Sequence, residues 1–188
     1  MTRESNAPAA GAFRPETVIA TLIGALALGV SAYTAYVQRQ QVRAQVWPVI
    51  ESYTGNQPKL RLWLANKGVG PALIKHVRIT VDGSPVRTWN EAMTRLLGPG
   101  QYFYSYESVG HRTVSAGEAL DLFVPHFEGG LASPAAARFD KERFRVGVEL
   151  CYCSTLGDCW TATRSPTQVR RIDETRQCPA ASENTFEQ

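Results

Sequence analysis

The sequence lacks the short motifs that build the common catalytic and nucleotide-binding sites. It contains no Gly-x-Ser-x-Gly elbow, His-Glu-x-x-His pair, Walker loop or dinucleotide-binding glycine pattern in its 188 residues. These absences argue against the α/β-hydrolases, zinc proteases, P-loop proteins and Rossmann enzymes. Histidine is also scarce, with three residues in the whole chain. We therefore expect no catalytic residues, no metal site and no cofactor.

Clustered positive charge is absent as well. Past Arg43, sixteen Lys and Arg side chains stand against fifteen Asp and Glu side chains, so this part of the chain is almost neutral. Phosphate neutralisation needs several basic side chains gathered on one face. We therefore expect no nucleic-acid partner.

One long apolar run is present, the uncharged residues 18–37. At about 1.5 Å per residue, a helix of this length spans about 30 Å, the thickness of a bilayer's hydrocarbon core. The run predicts a short leader at 1–16 and a transmembrane helix with its juxtamembrane extension at 17–43. The alternative is a signal peptide cleaved near residues 30–32, but a signal core usually has only about 7–15 apolar residues.

Small side chains follow one face of the predicted helix. Small residues let two helix backbones approach closely, and Ser or Thr can hydrogen-bond across such a contact. Two interpretations stay open: contact with a partner helix or a second copy, or the ordinary abundance of Ala and Gly in membrane helices. The residues of this seam are Ala20, Gly24, Ala27, Ser31 and Thr34.

The basic residues that flank the apolar run do not orient it. Two arginines precede the run and two follow it closely, so the positive-inside rule favours neither side. The compartment must be inferred from the cysteines instead.

The four cysteines lie near the end of the chain. Cys151 and Cys153 share one face of an alternating segment, and a three-residue turn at 155–157 leads back to Cys159. This hairpin register places Cys153 opposite Cys159 and leaves Cys151 to pair with Cys178. The converse pairing, Cys151 with Cys159 and Cys153 with Cys178, stays open.

Two other interpretations of the cysteines compete with disulfides. A four-thiolate zinc site is one, but the sequence lacks the usual C-x₂₋₄-C pairs of such sites. Four free, buried thiols are the other. Because disulfides persist outside the reducing cytoplasm, the favoured interpretation predicts an oxidising compartment.

Residues 44–165 carry the pattern of a β domain. Short alternating segments are separated by Gly, Pro, Asn and Asp, and they predict about eight strands with one short helix at 90–97 that is capped by Asn90. Strands at this spacing indicate an antiparallel β-sandwich. Residues 127–142 are predicted to form a loop with a helical turn. The polar residues 166–188 are predicted to be a C-terminal tail.

Two stretches carry a resemblance to a known class. Residues 62–74 (LWLANKGVGPALI) and 115–123 (SAGEALDLF) resemble immunoglobulin-like β-domains of bacterial envelope proteins. Residues 15–165 as a whole resemble small single-pass bacterial membrane proteins with such a domain. The resemblance implies a mainly β fold in the bacterial inner membrane and no active-site residues. With the cysteines, it predicts a periplasmic domain.

Several aromatic residues are candidates for protein recognition. Tyr102, Tyr104 and Tyr106 share one face of a strand predicted at 101–109, with Phe103 on the other face. Exposed tyrosines suit recognition. Alternatively, they pack over the helix at 90–97 or against the membrane interface. Trp63 and Trp89 are either exposed anchors or members of a second small core.

The three histidines lie in separate segments, and His76 is predicted to face solvent.

We expect a non-catalytic, membrane-anchored binding or accessory subunit of an envelope protein complex. Its expected partners are membrane lipid and other envelope proteins. Two alternatives stay open: a hydrolase with a loop-built site around His111 and His126, and a cytoplasm-facing metal or redox sensor that uses the four thiols.

Overall fold

The computed structural model describes residues 15–165, 168–180 and 186–187, without the side chains of residues 168 and 169. The predicted leader at 1–16 lies almost wholly outside the described residues. The backbone divides into two compact units, Met1–Val42 and Arg43–Gln188.

The described part of the first unit belongs to the helix α1, Pro15–Gln45, whose last three residues lie in the second unit. A proline begins α1 and Glu16 lies in its first turn, both of which suit a helix N-terminus. None of its side chains is buried, and large apolar side chains such as Leu26 and Leu28 are exposed. Among the described residues, α1 is the one helix long and apolar enough to cross a membrane.

The small-residue seam of α1 is exposed along its whole length. The hydroxyls of Ser31 and Thr34 donate to the carbonyls of Ala27 and Val30 at 2.8 Å. These hydroxyls are therefore satisfied within the helix. Helix–helix contact through the seam stays a prediction.

The second unit is mainly β, with all described strand pairs antiparallel. One sheet has the order β1-β2-β7-β5, and the other has the order β10-β9-β8-β3-β4 with β6 paired to β3. The elements are β1 Ile50–Gly55, β2 Arg61–Asn66, β3 Ala72–Val81, β4 Ser84–Val86, α2 Trp89–Leu97, β5 Phe103–Ser105, β6 Thr113–Val114, β7 Ala119–His126, α3 Pro134–Glu142, β8 Val146–Cys153, β9 Cys159–Ser165 and β10 Gln168–Thr175, with single 3-10 turns at Gly130–Ala132 and Arg143–Arg145.

A single core draws on both sheets and on α2 and α3. The alternation of β2 is confirmed, since Leu62 and Leu64 are buried while Trp63 lies on the outer face. Burial of each such side chain contributes about 1.5–3 kcal/mol. Leu64 of the first sheet, Val148 of the second and Phe139 of α3 belong to the same cluster.

Both short α-helices begin at capping residues. Thr88, not Asn90, caps α2, because the Thr88 hydroxyl accepts from the Glu91 N–H at 3.2 Å. The segment predicted as a loop with a helical turn contains the nine-residue helix α3, whose cap Ser133 accepts from the Ala136 N–H at 3.1 Å. The Ser-Pro start of α3 is a typical helix-start signal, and the helix is longer than the single turn that the sequence predicted.

Part of the predicted polar tail belongs to the sheet instead. β10 pairs with β9, with Asp173 opposite Thr161 and Thr175 opposite Cys159. An edge strand needs backbone partners on one side, and polar side chains suit its exposed face. Phe186 is buried in the core cluster, so the tail prediction fails at this position too.

A buried amide fixes the start of the β domain. Asn66 at the end of β2 is fully buried, and its Oδ1 accepts from the N–H groups of Val49 and Gly68 at 3.2 and 3.0 Å. Its Nδ2 donates to the carbonyls of Gly70 and Val114 at 2.8 and 3.0 Å. One side chain thus hydrogen-bonds four backbone groups from separate parts of the chain.

The turn after Asn66 lies directly against residues 46–49. The N–H of Lys67 donates to Val49 at 2.7 Å, and that of Val69 donates to Trp47 at 3.0 Å. A Cβ at Gly70 would lie 2.1 Å from the Val46 carbonyl oxygen. Glycine is therefore required there by close backbone approach.

Gly70→Ala should destabilise the domain by about 1–3 kcal/mol, because the added methyl forces the two backbones apart. Gly110→Ala is the matched control, since a Cβ there meets nothing within 4 Å. Urea unfolding measures both. Equal stability of the two variants would contradict the close-approach role of Gly70.

Candidate functional site

A cleft lies between the edge of the first sheet and the helices α2 and α3. Within the described part of the chain, β5 pairs with β7 alone, so its outer edge is free of strand partners. The cleft has a volume of about 480 Å³, within the usual range for binding pockets. Its walls include Leu97, Tyr102, Phe103 and Phe127.

Charged and polar groups stand among these apolar walls. Glu128 and Arg138 line the cleft together with His126. The cleft therefore offers an apolar surface with charges of both signs, a composition that suits recognition of a mixed peptide surface.

The three tyrosines that were candidates for recognition have different surroundings in the structure. Tyr102 is half-buried and donates its hydroxyl to the Gly98 carbonyl, while the ring of Tyr104 lies 5.3 Å from that of Phe123 in the core. Tyr106 is 45% exposed and follows β5. These three residues do not form a continuous exposed ladder, since β5 covers only three residues.

Phe103 is an exposed aromatic side chain beside the cleft that the sequence analysis did not name as a binding candidate. It is 66% exposed and lines the cleft from the free-edge strand. The sequence carried a signal for this exposure. Phe103 lies two residues before the polar Ser105, and residues two apart share one face of a strand. An exposed phenylalanine beside an apolar cleft is a typical recognition feature.

Backbone and carboxylate contacts hold the segment after β5 against β7. The Glu107 N–H donates to the Asp121 carbonyl at 2.9 Å, and the Asp121 N–H donates to Glu107 Oε1 at 3.1 Å. The Asp121 carboxylate accepts from Lys59 at 2.7 Å and Arg61 at 3.0 Å. Burial raises the pKa of Asp121, but these two donors outweigh it and leave the pKa below its ordinary value.

The two tryptophans have different surroundings. Trp63 lies on an outer face, where its ring stacks on Tyr53 at 5.3 Å under the Arg61 guanidinium. Trp89 is 3% exposed and stacks on Phe123 at 4.5 Å. Trp89 therefore belongs to the main core and is not an exposed anchor.

The histidines are not brought together at one site. His126 Nε2 lies 3.1 Å from Ser105 Oγ and His126 lines the cleft, whereas His111 lies in an exposed turn with φ 59°. His76 is 6% exposed, which corrects its predicted solvent exposure. In the sheet register His76 lies opposite Cys151, which is disulfide-bonded to Cys178.

All four cysteines are in disulfides. Cys153 pairs with Cys159 across the β8–β9 hairpin, and Cys151 pairs with Cys178. This is the pairing that the hairpin register favoured, not the converse one. The two bridges are adjacent, with 3.8 Å between the sulfurs of Cys153 and Cys178.

The two disulfides close loops of different length, with separations of 27 and 6 residues. Loop-closure entropy gives about 3.5 kcal/mol for the long loop and about 2 kcal/mol for the short one. The double variant Cys151→Ser/Cys178→Ser should therefore lose more stability than Cys153→Ser/Cys159→Ser in urea unfolding. A larger loss for the short loop would contradict this ranking.

Comparison of the chain with protein-family models, curated proteins and solved structures gives no match. A function must therefore be argued from the cleft, the free strand edge and the disulfides.

Proposed function

We propose that the chain is a membrane-anchored, non-catalytic binding or accessory subunit of a bacterial envelope protein complex. In this proposal α1 crosses the inner membrane once and the β domain is an immunoglobulin-like sandwich in the periplasm. The exposure and length of α1 support the anchor. The paired cysteines support an oxidising compartment.

The observation that carries the proposal is the combination of a free strand edge, an exposed phenylalanine and an adjoining cleft. The unpaired edge of β5 offers backbone groups to an extended segment of a partner, which would add a strand to the sheet. Phe103 and the cleft beside it would supply the side-chain contacts. Exposed edges are usually protected in proteins that do not use them for pairing.

The direct test closes the cleft without touching the core. Ala135 and Ala137 are both exposed on α3, but only Ala135 lines the cleft. A photo-crosslinking amino acid at position 103 of the membrane-bound protein should yield defined protein adducts in cells. Ala135→Trp fills the cleft and should reduce their yield about tenfold, whereas Ala137→Trp should leave it unchanged.

Two outcomes would reject the cleft as the binding site. One is an adduct yield that Ala135→Trp and Ala137→Trp affect equally. The other is an equal yield when the crosslinker is moved to Leu156, an exposed apolar residue on the β8–β9 turn. Thermal unfolding checks that both tryptophan variants remain folded.

A second candidate function is hydrolysis at the same cleft. The contact of 3.1 Å between His126 and Ser105 is the arrangement in which an imidazole takes a proton from a serine hydroxyl. Glu128 lines the same cleft. However, both partners of the pair are exposed to water, and such a site gains little from desolvation.

Activated esters such as p-nitrophenyl acetate separate the two candidates. For a binding subunit, we expect the same hydrolysis rate for the wild type, Ser105→Ala and His126→Ala. An excess rate in the wild type that both substitutions remove would favour the hydrolase.

The alternative of a thiol-based sensor needs free cysteine thiols. The structure contains none, because all four cysteines are in disulfides.

A further inference from the structure

A second feature of the β domain, away from the cleft, is a groove that the chain's own Phe186 occupies. Phe186 is 6% exposed, and its ring meets Trp89 edge-on at a centroid distance of 4.8 Å. The aromatic side chain fills a groove beside β3, β4 and the start of α2.

Backbone hydrogen bonds hold this segment as an extra piece of strand. The Phe186 N–H donates to the Val77 carbonyl at 3.1 Å, and the Glu187 N–H donates to the Arg87 carbonyl at 2.8 Å. β3 pairs with β6 at residues 72–73 and with β4 at residues 79–81. Phe186 therefore occupies the intervening stretch of the β3 edge.

Charge complements the aromatic contact. The Glu187 carboxylate forms an ion pair with the Arg87 guanidinium, and both side chains are largely exposed. The groove thus recognises three features together: an extended backbone, an aromatic side chain and an acidic side chain directly after it.

Other contacts build the groove independently of this segment. Trp89 stacks on Phe123 at 4.5 Å on the core side. The Arg87 N–H donates to Glu91 Oε2 at 2.8 Å, which fixes the backbone ahead of α2. The walls of the groove therefore have their own supports, and a preformed site costs little to fill.

A disulfide tethers the segment near its groove. Cys178 is bonded to Cys151, which lies opposite His76 and therefore next to Val77 in the register. The eight residues from Cys178 to Phe186 reach at most about 28 Å. Such a short tether gives an effective concentration in about the millimolar range, which compensates for a contact of only two residues.

We propose that this groove is a recognition site for an extended partner segment in which an acidic residue follows an aromatic one. Phe186 and Glu187 occupy it as a self-ligand that the partner segment displaces. The site is distinct from the cleft at β5 and does not depend on the function proposed for that cleft.

The test uses the full chain in detergent and a labelled peptide, Asn-Thr-Phe-Glu-Gln, which copies residues 184–188. Phe186→Ala empties the groove and should bind this peptide at least tenfold more tightly than the wild type does. A peptide with Ala in place of Phe should lose at least tenfold in affinity. Fluorescence anisotropy measures each affinity.

A second variant avoids any change in the core. Glu187→Arg replaces the exposed ion pair with repulsion against Arg87, and it should also increase peptide binding over the wild type. In the Phe186→Ala background, Arg87→Gln should weaken binding severalfold. Lys75→Gln, a substitution at an exposed position of β3, should leave binding unchanged.

The proposal fails if neither Phe186→Ala nor Glu187→Arg binds the peptide more tightly than the wild type. It also fails if the Ala-for-Phe peptide binds either variant equally well. Ala135→Trp should not change peptide binding, so a failure of the β5 cleft and a failure of this groove are distinguishable.

Discussion

The buried amide of Asn66 is the contact on which the β domain depends most. It ties the segment before β1, through Val49, to the turn at Gly68 and Gly70. It also reaches Val114 in β6, a strand of the other sheet. Because all four of its partners are backbone groups, the amide fixes chain paths and not side-chain packing. One side chain therefore links the segment before β1 to strands of both sheets.

The features that follow from local pattern could be predicted from the sequence. The uncharged run predicted α1, the alternation of Leu62 and Leu64 predicted the inner face of β2, and the hairpin turn predicted the disulfide between Cys153 and Cys159. Features that depend on distant contacts could not be predicted. β10 is polar and exists because β9 offers it a backbone edge, and Phe186 is buried because a groove 100 residues earlier in the chain receives it.

Both proposed recognition sites lie where the backbone pairing of a sheet is incomplete. At β5 the edge is free among the described strands, and Phe103 is exposed beside a cleft. At β3 the gap between two short partners is filled by Phe186. In the function proposed for it, the first site binds a partner strand, whereas the second site is occupied by the chain's own Phe186 and Glu187. Disulfides next to the second site hold the self-ligand within reach.

We propose that α1 anchors a disulfide-bonded domain outside the cytoplasm. The most direct measurement labels the full chain in spheroplasts with a membrane-impermeant maleimide, before and after an impermeant phosphine reductant. We expect no labelling before reduction and labelling of the cysteines after it, without lysis. Cysteines that react without reductant, and only after the membrane is lysed, would contradict both the disulfides and the topology.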